Sequence, residues 1–316
     1  MHNLEHITHQ QVFDGEVSYS VWRKSLHPKY GIVWRDILLG YAGILVTVIL
    51  YAWLPVDSWG LWILKLVAAI LLFGFLLAYL SLFIHEASHY HLHPDKKIND
   101  RLAGYFLCAL FGLHIRTYRK THWHHHTHLG TPTDSETSYF NALTPRFLIE
   151  SSTGIHLWRI LKKKNGHKAV SPEMKRANAR WLIAGGLVNI CIILTASLLV
   201  HWSLSLAWIL SMLIVFPFFA TLRQILEHRD ELAGSNLDFT TTPHGKITRI
   251  FTSGFMSRSF GGAGFNKHMI HHWDPQISYT RFKDVEAFLL RSAATKELIG
   301  NAKTTYWQAF KKLLAR

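Results

Sequence analysis

At 316 residues, 49% of them apolar and only 17% charged, the chain carries too little charge for an ordinary soluble globule, so a membrane location is the first reading to test. Twelve tryptophans and a net charge of +14 push the same way, because aromatic rings gather at headgroup level and Lys and Arg mark cytoplasmic loops. The two cysteines, Cys108 and Cys191, lie inside apolar runs without partner spacing, which argues against a disulfide framework or an iron–sulfur motif and leaves both as packing residues.

The opening stretch "MHNLEHITHQQVFDGEVSYS" lacks the basic and then apolar pattern of a cleaved signal peptide, so insertion is expected through internal segments. Four segments reach or approach the roughly 20 apolar residues that cross about 30 Å of hydrocarbon as a helix. They are Ile37 to Leu54, Leu61 to Ile84, Trp181 to Val200 and Leu204 to Leu222. Lys65, near the start of the second, can snorkel to the interface. Only "PVDSWG" separates the first two and only "HWS" the last two, so each pair reads as a tight helical hairpin. A fifth apolar run, Leu102 to Leu113, is too short to cross and is expected as a re-entrant or interfacial helix.

Orientation follows from Lys and Arg outside these spans. The segment before Ile37 holds four, the section from His85 to Arg180 fifteen, the section from Arg223 fourteen, and the two short turns none. The positive-inside rule then puts both termini and the long middle section in the cytosol, and with them the histidines that dominate the sequence.

The first histidine group, "HEASHYHLHP", follows the second span. His85 and His89 are four apart, so on a helix they share a face and can grip one metal ion. Read alone this is HExxH, with Glu86 as the general base of a zinc hydrolase. The second group, "THWHHHTHLG", sets His122, His125 and His126 in the pattern HxxHH, three rings on one helical face. "NKHMIHHWDP" repeats that pattern with His268, His271 and His272, and His228 in "LRQILEHRDE" emerges just beyond the last span. Nine such nitrogens exceed the four that fill one tetrahedral zinc and suit two metal ions, although imidazole alone does not choose between Zn, Cu, Fe and Ni.

HxxxH at the end of a span, then HxxHH, then a late HxxHH, over two membrane hairpins, resembles the integral-membrane fatty acid desaturase and hydroxylase superfamily. "HEASHYHLHPDKKINDRLAGYFL" followed by "YRKTHWHHHTHLGTPTDSE" is similar to the first half of bacterial members, and "NKHMIHHWDPQISY" to their last box. The resemblance runs from about His85 to Tyr279. It implies two iron ions with O2 as co-substrate, a lipid or acyl substrate, and an external electron donor such as ferredoxin or cytochrome b5. The family's extra histidine between last span and last box maps onto His228, and Asn266 takes a position that often supports the third box.

The remaining residues divide by pattern. His124 is turned by about 200° from His122 around a helix and is expected behind the ligands or at the surface, while His128 could join the cluster. His91 and His93 precede Pro94 and are expected to cap a turn. His2, His6, His9, His27, His114, His156, His167, His201 and His244 have no supporting pattern. Glu86, Asp134, Glu136 and Glu227 could orient imidazoles by accepting the second ring N–H. The basic run "KKKNGHK", Lys162 to Lys168, suits anionic headgroups or, more sharply, an acidic electron carrier. Nothing resembles a nucleic-acid-binding fold, so no nucleic-acid partner is expected.

The expected architecture is all-α: one domain over residues 1–316, with a cytosolic N-terminal segment at 1–36, hairpins at 37–84 and 181–222, and cytosolic sections at 85–180 and 223–316 forming a helical cap around a histidine-rich dimetal site. Removing hydrogen from an unactivated methylene lies beyond side-chain acids and bases and is left to a metal with O2. Loss of two hydrogens gives a double bond and insertion of oxygen an alcohol; the resemblance favours the double bond, with a hydroxylase as the alternative. The chain has no Gly-rich nucleotide fingerprint and no HPGG context of a fused cytochrome b5, so electrons are expected from outside. A zinc hydrolase built on His85, Glu86 and His89 would leave the two HxxHH groups idle. A metal transporter would want ionisable residues within the spans, and only Lys65 and the terminal Arg223 are near them.

Overall fold

The computed structural model describes residues 4–155, 171–234 and 236–314. His2, His156, His167 and the basic run from Lys162 to Lys168 lie outside the described residues. Four helices are long and apolar enough to cross a bilayer: Tyr30–Trp53, Trp59–Ser88, Pro172–Leu199 and Trp202–His228. Each contains or nearly contains one expected span and overruns it at an end where the sequence turns amphipathic, because helix formation does not stop where hydrocarbon would. The chain divides into two compact units, each assembled from separated segments.

One unit comprises Trp34–Lys120 and Arg146–Thr221 and carries most of the spans. Water cannot drive helices together in lipid, so small residues and interhelical hydrogen bonds must. A Cβ on Gly74 would come within 2.4 Å of Val215 Cβ, and one on Gly185 within 2.4 Å of the Gly112 Cα. Tyr51 and Ser203 share a hydroxyl–hydroxyl bond of 2.6 Å, Ser211 donates to the Ile70 carbonyl at 2.8 Å, and Trp208 Nε1 donates to Asn189 at 2.9 Å. The Trp202–His228 helix loosens to a π-turn at Ser211–Val215, which is where Gly74 lies against it.

The short apolar run forms a helix over residues 96–111, with its own π-turn at Gly104–Cys108, ending at Gly112 with φ +64°. It lies along the first turns of the third span, with Gly104 under Trp181 and the Leu110 carbonyl accepting from Asn189. Cys108 is buried as expected of a packing residue, but Cys191 is on an exposed helix face.

The other unit comprises residues 1–33, 121–145 and 222–316. Its core gathers Leu4, Val12 and Tyr19 from the N-terminal segment with Ile250, Met269, Ile270, Phe282, Val285 and Phe288. Two short ladders brace it: Phe13–Asp14 antiparallel to Val17–Ser18 around Gly15 (φ +61°), and Ile250–Phe251 parallel to Lys303–Thr304. The N-terminal residues are thus part of the fold around the third histidine group. Buried Asp274, two residues past His272, accepts a bidentate pair from Arg23 at 2.6 and 2.5 Å and the Tyr19 hydroxyl at 2.9 Å.

Candidate metal centre

The second and third histidine groups are helical as their spacing predicts. His122, His125 and His126 stand on Ile115–His128, and His268, His271 and His272 on His268–Trp273. His228 ends the Trp202–His228 helix, and its position is fixed by Arg249, whose buried guanidinium donates to the Leu226 carbonyl at 2.9 Å and the Arg229 carbonyl at 2.6 Å. Those acceptors are the unpaired carbonyls that every helix C-terminus leaves.

Behind the rings stand oxygen acceptors. His125 Nδ1 donates to both oxygens of Asp134 at 2.9 Å, His122 Nδ1 to Glu136 at 2.9 Å, and His228 Nδ1 to the Ile247 carbonyl at 2.9 Å. Carboxylate and carbonyl oxygens only accept, so each of these rings carries its proton on Nδ1 and a lone pair on Nε2. The Nε2 atoms then converge: His126 to His122 at 2.9 Å, His271 to His126 at 3.0 Å, His268 to His228 at 2.8 Å and His272 to His268 at 3.1 Å. The ligand atoms of His125, His228 and His272 fall within 4.8 Å of one another, as do those of His122, His126 and His271. Ring nitrogens gathered this closely from separate parts of the chain, three of them on rings whose Nδ1 is already given to an oxygen, form a donor set that a metal ion can bridge.

The acids reach these rings because the chain folds back after the second group. Gly130 has φ +76°, and a Cβ there would strike the Gly245 carbonyl at 2.2 Å, so only glycine fits. Tyr139 accepts the Gly130 N–H at 2.8 Å and donates to Asp134 at 2.6 Å, and Gln224 donates to Glu136 at 2.5 Å. Tyr139, Gln224 and the Ile247 carbonyl have no signature in the sequence. The HTHLGTPTDSE run pointed only to the acids they hold, Asp134 and Glu136.

In the membrane-span unit the first group is built differently from expectation. The Trp59–Ser88 helix holds His85 but stops before His89, its C-cap residue; the two rings still lie 5.0 Å apart. Arg119 donates to the Ser88 and Ala87 carbonyls at 2.8 and 3.1 Å and Asn99 to Ala87 at 3.0 Å, which secures that helix end. Tyr90 follows in the left-handed region at φ +65°, at a cost of roughly 1 kcal/mol for a non-glycine residue, under the Arg119 guanidinium at 3.9 Å. The turn brings buried His91 back to Glu86, its Nδ1 donating at 3.1 Å, so His91 is not the turn cap it was expected to be; His93 is, accepting the Asp95 N–H at 3.0 Å.

The other candidates take partners of their own. Glu227 pairs with Arg223 at 3.4 Å rather than with a ring, and Asn266 donates to Ser257 at 3.2 Å. His124 stacks on His128 at 3.8 Å, and His128 donates to the His124 carbonyl, which turns it away from His125.

The sequence model described as fatty acid desaturase matches residues 60–299, a range that includes all three histidine groups, His228 and three of the four spans whole. The chain belongs to the fatty acid desaturase family. No curated protein matches it. Membership makes it an oxidoreductase of the desaturase and hydroxylase type, and its four apolar helices make it an integral membrane protein. Family members use a di-iron centre, and the donors found here fit iron: converging imidazole nitrogens, with the second nitrogen of His122, His125 and His228 held by an oxygen acceptor.

Electrostatics in this family member treat the rings differently. Burial, reinforced by neighbouring imidazoles, holds His268 and His272 well below the ordinary histidine range, so both stay neutral and keep a lone pair. At His125 burial pulls down, but the charges of Glu136 and Asp134 outweigh it and the ring is raised. Burial likewise pushes Glu136 up, while His125 and His122 more than reverse this and hold it at about 2. Glu136 is therefore an ionised acceptor at neutral pH.

Proposed function

We propose that the chain introduces a double bond into an acyl chain of a membrane lipid. The overall change is CH2–CH2 plus O2, two electrons and two protons to CH=CH plus two waters. His85, His89, His122, His125, His126, His228, His268, His271 and His272 would hold two iron ions, which supply the O2 chemistry needed at an unactivated methylene. The observation that carries this reading is the convergence of histidine Nε2 atoms, those of His125, His122 and His228 on rings backed by Asp134, Glu136 and the Ile247 carbonyl, in a chain of this family.

The protein's own residues prepare the site. Asp134, Glu136 and Ile247 hold His125, His122 and His228 in one tautomer and one orientation; Tyr139 and Gln224 hold the acids in turn. Electrons would come from an external carrier such as ferredoxin or cytochrome b5. The distribution of Lys and Arg supports a cytosolic location for the termini and the site.

The test is metal and product together. Protein purified in detergent after expression with iron and zinc available is expected to hold about two irons per chain, lost in a His125→Ala/His271→Ala double variant. Cells expressing the intact chain should gain an unsaturated acyl product absent from the variant. A hydroxylated product would move the chain to the hydroxylase branch, and one zinc retained in the double variant would overturn the di-iron reading.

A further inference from the structure

A cavity of about 370 Å³ opens between the Tyr30–Trp53 and Trp59–Ser88 helices at their turn end, within the usual size range of ligand sites. Its wall is aliphatic, with Leu50, Leu54, Leu61, Leu64, Ala68 and Leu72, and it holds one charge, Lys65. The Lys65 ammonium donates to the Leu54 carbonyl at 2.8 Å and lies 4.5 Å from the Tyr51 ring centre. Among the described residues no carboxylate pairs with it, although an ionisable residue within a span ordinarily finds a counter-charge.

The surroundings place this cation at headgroup depth. Trp53, Trp59 and Trp202 are exposed, and Trp59, Trp62 and Trp202 form a chain of rings at 5.6 and 5.9 Å, the belt that marks a membrane interface. Lys65 and His85 are on one helix, 20 residues apart, which at 1.5 Å per residue separates them by about 30 Å. A ligand anchored at Lys65 therefore sits in the leaflet opposite the one that His85 faces.

We propose that this cavity is a binding site for an anionic phospholipid of that leaflet, with one acyl chain in the aliphatic groove and the phosphate on Lys65. The Lys65 ammonium keeps donors beyond the one given to Leu54, and an anionic headgroup supplies the counter-charge that the protein does not. The site stands on the membrane spans alone and is independent of the reaction proposed above.

Native mass spectrometry of the detergent-purified full chain, titrated with phosphatidylglycerol or phosphatidylcholine, tests it. One basic residue near an anionic surface is worth about fivefold in binding, so phosphatidylglycerol is expected to be retained about fivefold better. Lys65→Met should bring the two lipids to parity and Lys65→Arg should not. Ala68→Phe, which keeps the charge and fills the groove, should also remove the preference and covers the case in which Lys65→Met fails to fold. No preference in the intact chain, or one that survives both Lys65→Met and Ala68→Phe, would overturn the proposal and leave Lys65 as a cap on the Leu54 carbonyl.

Discussion

The Pro172–Leu199 helix and the core around the third histidine group use the same apolar residue types under opposite rules. Leu187, on the helix, is 59% exposed, and little of that span is covered by protein; Phe288, in the core, is 1% exposed. In the core, leaving water is the driving force and shape complementarity decides the packing. On the span, lipid is as good a solvent as another leucine, so adhesion falls to Gly185 against Gly112 and to hydrogen bonds such as Trp208 to Asn189. Apolar patterning therefore locates both regions but specifies a partner only in the first.

The largest effect should come from Phe288→Ala, which empties a packed core position and is expected to cost about 3–5 kcal/mol, read as loss of the folded cap in denaturant unfolding. A cost under about 1 kcal/mol would break the contrast by showing that this core is as permissive as a lipid face.

Acid should strike the same region next. Burial holds His244 at about 4, below its unfolded value near 6.5, with Nε2 accepting the Asp230 N–H at 3.0 Å. A histidine depressed in the fold takes up its proton first in the unfolded chain, so its stabilising share is whole above pH 6.5 and shrinks as pH falls toward 4. The loss approaches roughly 3 kcal/mol. His244→Gln is expected to flatten the stability profile between pH 6.5 and 4.

Asp134→Asn tests the site rather than the core. It keeps the shape but weakens the hold on His125, and metal affinity measured by chelator competition should fall about 10–100-fold while the thermal midpoint of the metal-free protein changes little. Unchanged affinity would mean that His125 is oriented by its helix alone. The smallest effect is expected at Leu187→Ala, within about 0.5 kcal/mol in lipid nanodiscs; a large loss there would reveal a protein partner on that face.

What could be read from sequence follows from the range of the interactions involved. The spans, the two hairpins and the HxxHH faces depend on neighbours within four residues or on average polarity over about twenty, both of which a sequence displays directly. His89 lies past its helix instead of on it, because the stop is set by Arg119 and Asn99 caps that arrive from later in the chain. His91 turned out to serve Glu86 for the same reason, through the left-handed Tyr90. Glu86, Asp134 and Glu136 were legible as candidate partners by residue type, but Glu227 was not distinguishable from them until Arg223 was seen beside it.

By itself, then, the sequence determined that this is a helical membrane protein with three histidine groups of desaturase spacing, since those are matters of local period and composition. Only the tertiary structure decided that Ile247 backs His228, that Arg249 caps its helix, that Asp274 ties the third group to Arg23 and Tyr19, and that Lys65 faces an aliphatic groove. Each joins residues 19 to 255 positions apart or depends on which face a packed helix turns outward, and neither leaves a mark in the local pattern.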